Sequence, residues 1–218
     1  MIVQDLVLVN FRNYKNLSSK FGSGINVIIG NNAQGKTNLI ESIYFLAAGQ
    51  SFRHSTVKDM ISFDQDNTLI RAGIISSNRE QTLEAKLYRG RRRELYANGV
   101  KLKKTSDLTG HLSAVQFGPD DLNIIKESAS VRRKLMDNCL SQLRPAYFSA
   151  LSEYNRLYDN KSRILRDYRD KPSLLDLLDD FNLRLAEKGA LLIYYRSAFA
   201  AALSRRSAAI HNEFSSGS

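Results

Sequence analysis

The chain has no tryptophan, one cysteine, three prolines and three histidines in 218 residues. A single cysteine, Cys139, excludes an internal disulfide and any cysteine-rich zinc site. His54, His111 and His211 are scattered without metal-ligand spacing. No apolar run approaches the roughly 20 residues that a membrane-spanning helix needs. The opening Met1-Ile2-Val3-Gln4-Asp5 has no basic stretch leading into an apolar core, so no secretory leader is legible. The expected compartment is therefore a reducing cytoplasm, with no membrane as partner. Acidic residues are also short: Asp and Glu number 22 against 32 Lys and Arg, a net charge of +10. Such an imbalance suits a polyanionic partner, with a basic but otherwise ordinary soluble protein as the plain alternative.

What is present reads as globular, with 43% hydrophobic and 25% charged residues, enough for one large domain or two lobes. Residues 1–115 hold 16 basic and 9 acidic side chains, while residues 116–218 hold 16 and 13. The first half has strand composition at 2–11, 24–30, 69–76, 82–89, 94–102 and 112–117. Asn98-Gly99, between two short apolar runs, is a two-residue hairpin signal because both turn positions need positive φ. The second half holds all three prolines and reads as helical. Pro145 opens one amphipathic helix, and Ser173 is a candidate cap for another with apolar positions from Leu174 to Phe199. The expectation is an α/β lobe over 1–118, a helical lobe over 119–214 and a linker-like tail over 215–218.

Gly30-Asn31-Asn32-Ala33-Gln34-Gly35-Lys36-Thr37 fits G-x-x-x-x-G-K-[ST] at every position. An apolar, β-branched strand at Ile25–Ile29 is expected to feed this loop, and Asn38 begins the helical pattern behind it. Backbone N–H groups of such a loop, with the helix N-terminus, face phosphate oxygens. Lys36 would then reach the β- and γ-phosphates and Thr37 would ligate Mg²⁺. A glycine-rich turn with a surface lysine is the plain alternative.

Further segments make the pattern specific: Asn10-Phe11-Arg12-Asn13-Tyr14, Gln50-Ser51-Phe52-Arg53, Phe117-Gly118-Pro119-Asp120-Asp121-Leu122 and Val131-Arg132-Arg133-Lys134-Leu135-Met136-Asp137. With the loop, they resemble the RecF family of bacterial DNA replication, repair and recombination proteins, over residues 1–212. Members are ATPases of the ABC and chromosome-maintenance type. The resemblance implies a mixed sheet around the P-loop helix with an added helical lobe. It implies ATP and Mg²⁺ as cofactors, and DNA and other recombination mediators of RecO and RecR type as partners. It also implies a role in the response to DNA damage, including the SOS response, and an ATP-dependent homodimer for the full-length chain. Arg12 stands where the superfamily places an arginine on the nucleotide phosphates, and Asn13 beside it is a second candidate. Gln116 stands where relatives keep a metal-sensing glutamine. Lys58 and Asp59 are candidates to border the base, or to pair at the surface. Ala33 departs from the pattern, since many relatives carry glycine there.

The family's hydrolysis motifs are not found. Leu174-Leu175-Asp176-Leu177-Leu178-Asp179-Asp180 has no β-branched residue and continues in helical register, so it is not a catalytic strand. The chain therefore looks like an N-terminal fragment that binds ATP without turning it over. Arg89, Arg91, Arg92, Arg93, Lys101, Lys103 and Lys104 gather on the hairpin and are either a DNA phosphate track or a solvated, edge-protecting charge run. Arg132, Arg133 and Lys134 open a helix and either face DNA or pair with neighbouring acids. Tyr154, Tyr158 and Tyr168 lie at helical spacing and read as core, and Cys139 reads as a small buried hydrophobe. Two other classes remain: a P-loop small-molecule kinase, and a DNA-binding module with a vestigial loop.

Overall fold

Alternation of apolar and polar residues builds one sheet. Along β1 (Ile2–Phe11), Leu6 and Leu8 point to the same side and are fully buried. Asn10 then adopts φ 53°, which shifts the alternation by one residue and places Phe11 on the buried side too. β2 (Tyr14–Lys20), β3 (Asn67–Ser76), β4 (Arg79–Tyr88), β5 (Glu94–Ala97) and β6 (Val100–Lys101) complete the order β2-β1-β3-β4-β5-β6. Every ladder in it is antiparallel. The β5–β6 turn is the Asn98-Gly99 pair, at φ 51° and 76°, as the sequence expects. This computed structural model describes residues 1–215 apart from His54, Ser77, Asp170 and Lys171.

One face of the sheet is covered by α1 (Lys36–Ala48), whose Leu39, Phe45, Leu46 and Ala47 share a single core with Leu6, Leu8, Ile70, Leu83 and Leu87. The helix stops at Gly49, whose φ of 68° is a left-handed cap and whose N–H donates to the Phe45 carbonyl at 2.8 Å. A Cβ there would also lie 2.4 Å from Thr105 Cγ2, so two constraints select glycine. A short α2 (Val57–Met60) follows and buries Met60.

Two expected strands are not formed. Residues 24–30 and 112–117 have no ladder partner among the described residues. Ile25, Val27 and Ile29 are 95, 78 and 87% exposed, and Val115 and Phe117 are exposed as well. Their β-branched and aromatic composition is a strand signal, but a strand exists only where a neighbour accepts its N–H and C=O groups.

The chain divides into two compact units after Asp121, where Gly118 and Asp121 close a turn by exchanging hydrogen bonds. The second unit is helical: α3 (Asn123–Lys126), α4 (Ala129–Leu143), α5 (Pro145–Asp167) and α6 (Leu178–Phe214). Pro145 sits in the first turn of α5, where its missing N–H costs nothing. Residues 172–177 form a 3₁₀ turn, so the α-helix expected from Ser173 begins five residues later, at Leu178. Leu140, Tyr147, Ala150 and Leu192 form the core, with Tyr154 packed against it. Tyr158 is 58% exposed and does not join that core, contrary to its helical-spacing reading. A polar clasp closes this unit. Arg196 Nε and Nη2 each donate to Asp137 at 2.9 Å, and the buried Tyr147 hydroxyl donates to the same carboxylate. Cys139 is half-buried, and that burial pushes its thiol pKa up.

A candidate nucleotide site at the start of α1

The glycine-rich loop turns into α1 through two left-handed residues, Ala33 at φ 64° and Gly35 at φ 101°. Gly35 is required twice over: a Cβ would stand 2.7 Å from the Asn13 amide and 3.0 Å from the Tyr14 ring. The close approach thus comes from the β1–β2 turn, and Asn13 Nδ2 donates to the Gln34 carbonyl at 3.1 Å. Lys36 Nζ donates to the Gly30 and Asn31 carbonyls at 2.6 and 2.7 Å, folding the loop over its own lysine.

Residues 32–36 wall a cavity of about 450 Å³ with Arg12, Thr37, Asn38 and Arg53. The first-turn N–H groups of α1 have no side-chain cap, and no acidic residue stands in that turn. Among the described residues no Asp or Glu lines the cavity, whereas Arg12, Lys36 and Arg53 do. Three cations and an uncapped helix N-terminus make an anion site. Thr37 offers the one hydroxyl fit for Mg²⁺, whose other ligands would be phosphate and water oxygens. No cluster of three or more His, Cys, Asp or Glu suited to a metal occurs among the described residues.

Behind the cavity a side-chain relay fixes the walls. Arg53 Nη1 donates to Asn38 Oδ1 at 2.8 Å, and Asn38 Nδ2 donates to Asn13 Oδ1 at 2.9 Å. Arg12 is held harder. Its Nε and Nη2 donate to the two oxygens of fully buried Glu41 at 3.0 and 2.6 Å, and its Nη1 donates to the Asp59 carbonyl at 2.7 Å. Ser51 and Ser55 hydroxyls complete the shell around Glu41. Arg12 itself sits at φ 53°, a strained position for a residue with a Cβ, and these bonds over-determine it. The arginine expected on the phosphates therefore borders the cavity with its donors already engaged by Glu41.

Other expected residues scatter. Gln116 is not among the residues lining the cavity and lies in the unpaired 113–117 run, so it is not brought together with Thr37. Arg93 does not join a surface track: it donates to the Gly49 carbonyl and Thr105 Oγ1, lies 5.7 Å from the Phe45 ring, and has its pKa lowered by burial. Arg89 is tied to the Gln65 and Ser62 carbonyls at 2.6 and 3.1 Å. Lys101 pairs with Glu94 at 2.6 Å. Arg91 lies over the Tyr88 ring at 3.7 Å, and Arg92, Lys103 and Lys104 are exposed. In the helical unit Arg132 donates to the Glu127 carbonyl at 3.0 Å. Arg53 and Glu41 were not read as site residues from sequence. Arg53 closes the Gln50-Ser51-Phe52-Arg53 motif, which was the signal available. A glutamate inside an otherwise apolar helical face was the signal for Glu41.

The fold is that of the head of the ABC-type P-loop ATPases. Residues 2–210 match the RecF/RecN/SMC N-terminal domain, and the chain belongs to that family, on its RecF branch. The DNA replication and repair protein RecF of Clostridium kluyveri is 36% identical over 217 residues, all of this chain and 59% of the relative. That of Clostridium novyi is 37% identical over 216 residues, covering 99% of this chain and again 59% of the relative. The chain thus spans less than two thirds of the length of the curated relatives it matches. A solved structure of the recombination mediator protein RecF-ATPrS in the RecFOR pathway superposes with a TM-score of 0.86 at 36% identity, covering 91% of this chain and 54% of that one. An SMC head bound to the winged-helix domain of ScpA shares the fold at a TM-score of 0.51 and 22% identity, covering 63% of this chain and 50% of that one.

Proposed function

We propose that the chain is the ATP-binding head of a RecF-type recombination mediator, taking Mg²⁺-ATP in the 30–38 loop and DNA on the charged 89–104 hairpin. The carrying observation is the cavity at the start of α1, whose lining, among the described residues, holds Arg12, Lys36 and Arg53 beside the glycine-rich loop. In-line attack on a γ-phosphate also needs a group to orient water, and binding without turnover by residues 1–218 alone is part of this proposal. Binding ATP would support cytoplasmic work at DNA gaps with partners of RecO and RecR type, and ATP-dependent dimerisation in the longer relatives' frame. The intact loop disfavours a vestigial P-loop, and the family disfavours a small-molecule kinase.

The deciding experiment is calorimetric titration of ATP with and without Mg²⁺. Lys36→Ala is expected to remove most of the affinity, and equal heats from wild type and variant would sink the assignment. For DNA, neutralising about three phosphates through Arg91, Arg92 and their lysine neighbours gives a log K against log salt slope of roughly −2.7 on duplex. Replacing Arg91 and Arg92 by Ala should flatten it, and an unchanged slope moves the surface elsewhere.

A further inference from the structure

We propose that the outer side of β4 and β5 is a binding face for single-stranded DNA, with Tyr96 and the Tyr88–Arg91 pair as stacking platforms for its bases. The proposal rests on the DNA reading above and adds the form of the DNA and the groups that meet its bases. Strand alternation separates the two sides of the sheet here. Leu83, Ala85, Leu87, Leu95 and Ala97 are buried in the core, so Glu84, Lys86, Tyr88, Glu94 and Tyr96 stand on the opposite side. A cavity of about 640 Å³ opens on that side, lined by Arg71, Glu84, Lys86, Tyr96 and the Asn98-Gly99 turn.

One carboxylate holds both rings. The Tyr88 and Tyr96 hydroxyls donate to Glu94 Oε2 at 3.0 and 3.2 Å, and Lys101 Nζ donates to Glu94 Oε1 at 2.6 Å. The hydroxyls are thereby spent within the protein, and the rings are placed before any ligand arrives, which lowers the ordering cost of binding. A cation stands over each ring. Lys86 Nζ lies 5.1 Å from the Tyr96 centroid, and the Arg91 guanidinium lies 3.7 Å from the Tyr88 centroid. A guanidinium so placed continues the aromatic stack. A base can pack on its outer plane while its N–H edge meets a phosphate. The charge on this side favours an anion. Arg71 and Lys86 share Glu84 at 2.6 and 3.2 Å, and Lys101 takes Glu94, so with Arg91 four cations face two carboxylates. That surplus selects a polyanion, and the rings select one whose base faces are open. A duplex keeps its bases stacked on one another and would use the cations alone, whereas a single strand engages both. Stacking accepts any base, so the face contributes affinity more than sequence preference.

The test measures fluorescence anisotropy with three labelled ligands: a short oligothymidylate, an abasic deoxyribose-phosphate chain of the same length, and a duplex. The wild type should prefer oligothymidylate to the abasic chain about tenfold, since the two carry equal charge and only one can stack. Replacing both rings, Tyr88→Leu with Tyr96→Leu, should erase that preference and leave duplex affinity unchanged. Replacing both by Phe removes only the hydroxyls and should keep the preference. Equal binding of oligothymidylate and the abasic chain by the wild type overturns the proposal while leaving the DNA reading in place, as a contact with phosphates alone. A preference that survives in the leucine pair overturns it as well, by moving the stacking elsewhere. Loss of duplex affinity in that pair also overturns it, by showing damage to the hairpin. If neither single strand nor duplex binds the wild type, the DNA reading itself fails.

Discussion

Arg12 and Glu41 form a two-pronged ion pair in which the carboxylate is fully buried and the guanidinium side chain is 17% exposed. It ties the β1–β2 turn to the middle of α1, and so fixes both walls of the phosphate cavity. Removing Arg12 leaves buried Glu41 with the Ser51 and Ser55 hydroxyls and the more distant Arg53 at 3.9 Å, so the cost should approach but not exceed the roughly 3–5 kcal/mol of a fully stranded buried charge. Arg12→Ala should accordingly lower the urea midpoint of the first unit sharply. Lys36→Ala, whose side chain bonds only loop carbonyls, should leave that midpoint close to wild type while losing ATP. If both variants unfold alike, the division of labour between the two cations is wrong.

Ala33 is the loop's departure from glycine, and it occupies a left-handed φ of 64°. That conformation costs an L-residue about 1–2 kcal/mol, of which the greater chain entropy of unfolded glycine returns part. Ala33→Gly should therefore raise the thermal midpoint by the equivalent of about 0.5–1 kcal/mol, and Ala33→Val should lower it. A drop in the glycine variant would show that the loop is not held in this conformation in solution.

The Asp137–Tyr147–Arg196 clasp joins α4, α5 and α6. Tyr147→Phe deletes one hydrogen bond and should cost the helical unit about 1 kcal/mol. Arg196→Met strands Asp137 and should cost more, an ordering that circular dichroism melts can check. Burial, then the bond to Asp137, raises the Tyr147 pKa above its ordinary 10.0. The unfolded chain thus releases this proton first, so the clasp's contribution is intact below pH 10 and declines as pH rises beyond it. The Tyr147→Phe variant should lose that alkaline decline.

On the hairpin, hydrogen bonding from Lys101 and then Tyr88 brings the Glu94 carboxyl down from 4.5 to about 2. A lowered folded-state pKa stabilises above the unfolded value and is lost as pH falls through the folded one. The hairpin should hold its structure above pH 4.5 and weaken towards pH 2. Carbon-detected titration of Glu94 in Lys101→Met should show the midpoint return upwards.

Legibility from sequence followed how local the physics was. The strands at 2–11, 69–76 and 82–89, the Asn98-Gly99 turn and the loop-to-helix junction are legible in a few adjacent residues, whereas the mostly polar β2 at Tyr14–Lys20 is not and exists through its pairing with β1. The strands at 25–29 and 113–117 were legible as composition only, because a strand's existence is decided by a neighbour far along the chain. Arg93 and Arg91 are separated by one residue and look alike in sequence. One is drawn under the sheet by the Gly49 carbonyl and the other stacks on Tyr88, a difference made by partners 44 and 3 residues away. Arg12 lines the cavity at the start of α1, but nothing in Asn10-Phe11-Arg12-Asn13 announces the carboxylate 29 residues on that holds it.

The exposed run at Ile25–Ile29 has a thermodynamic consequence for the loop it feeds. The phosphate cradle is anchored at its helix end, through α1, while at its strand end residues 25–29 have no ladder partner among the described residues. A ligand that orders the loop and a segment that pairs with residues 25–29 would therefore act on one stretch of chain. The two events share one coupling free energy, so each must tighten the other by the same factor. Nucleotide occupancy is thereby a measure of whether that seam is closed, read from a site that the closing segment need never touch.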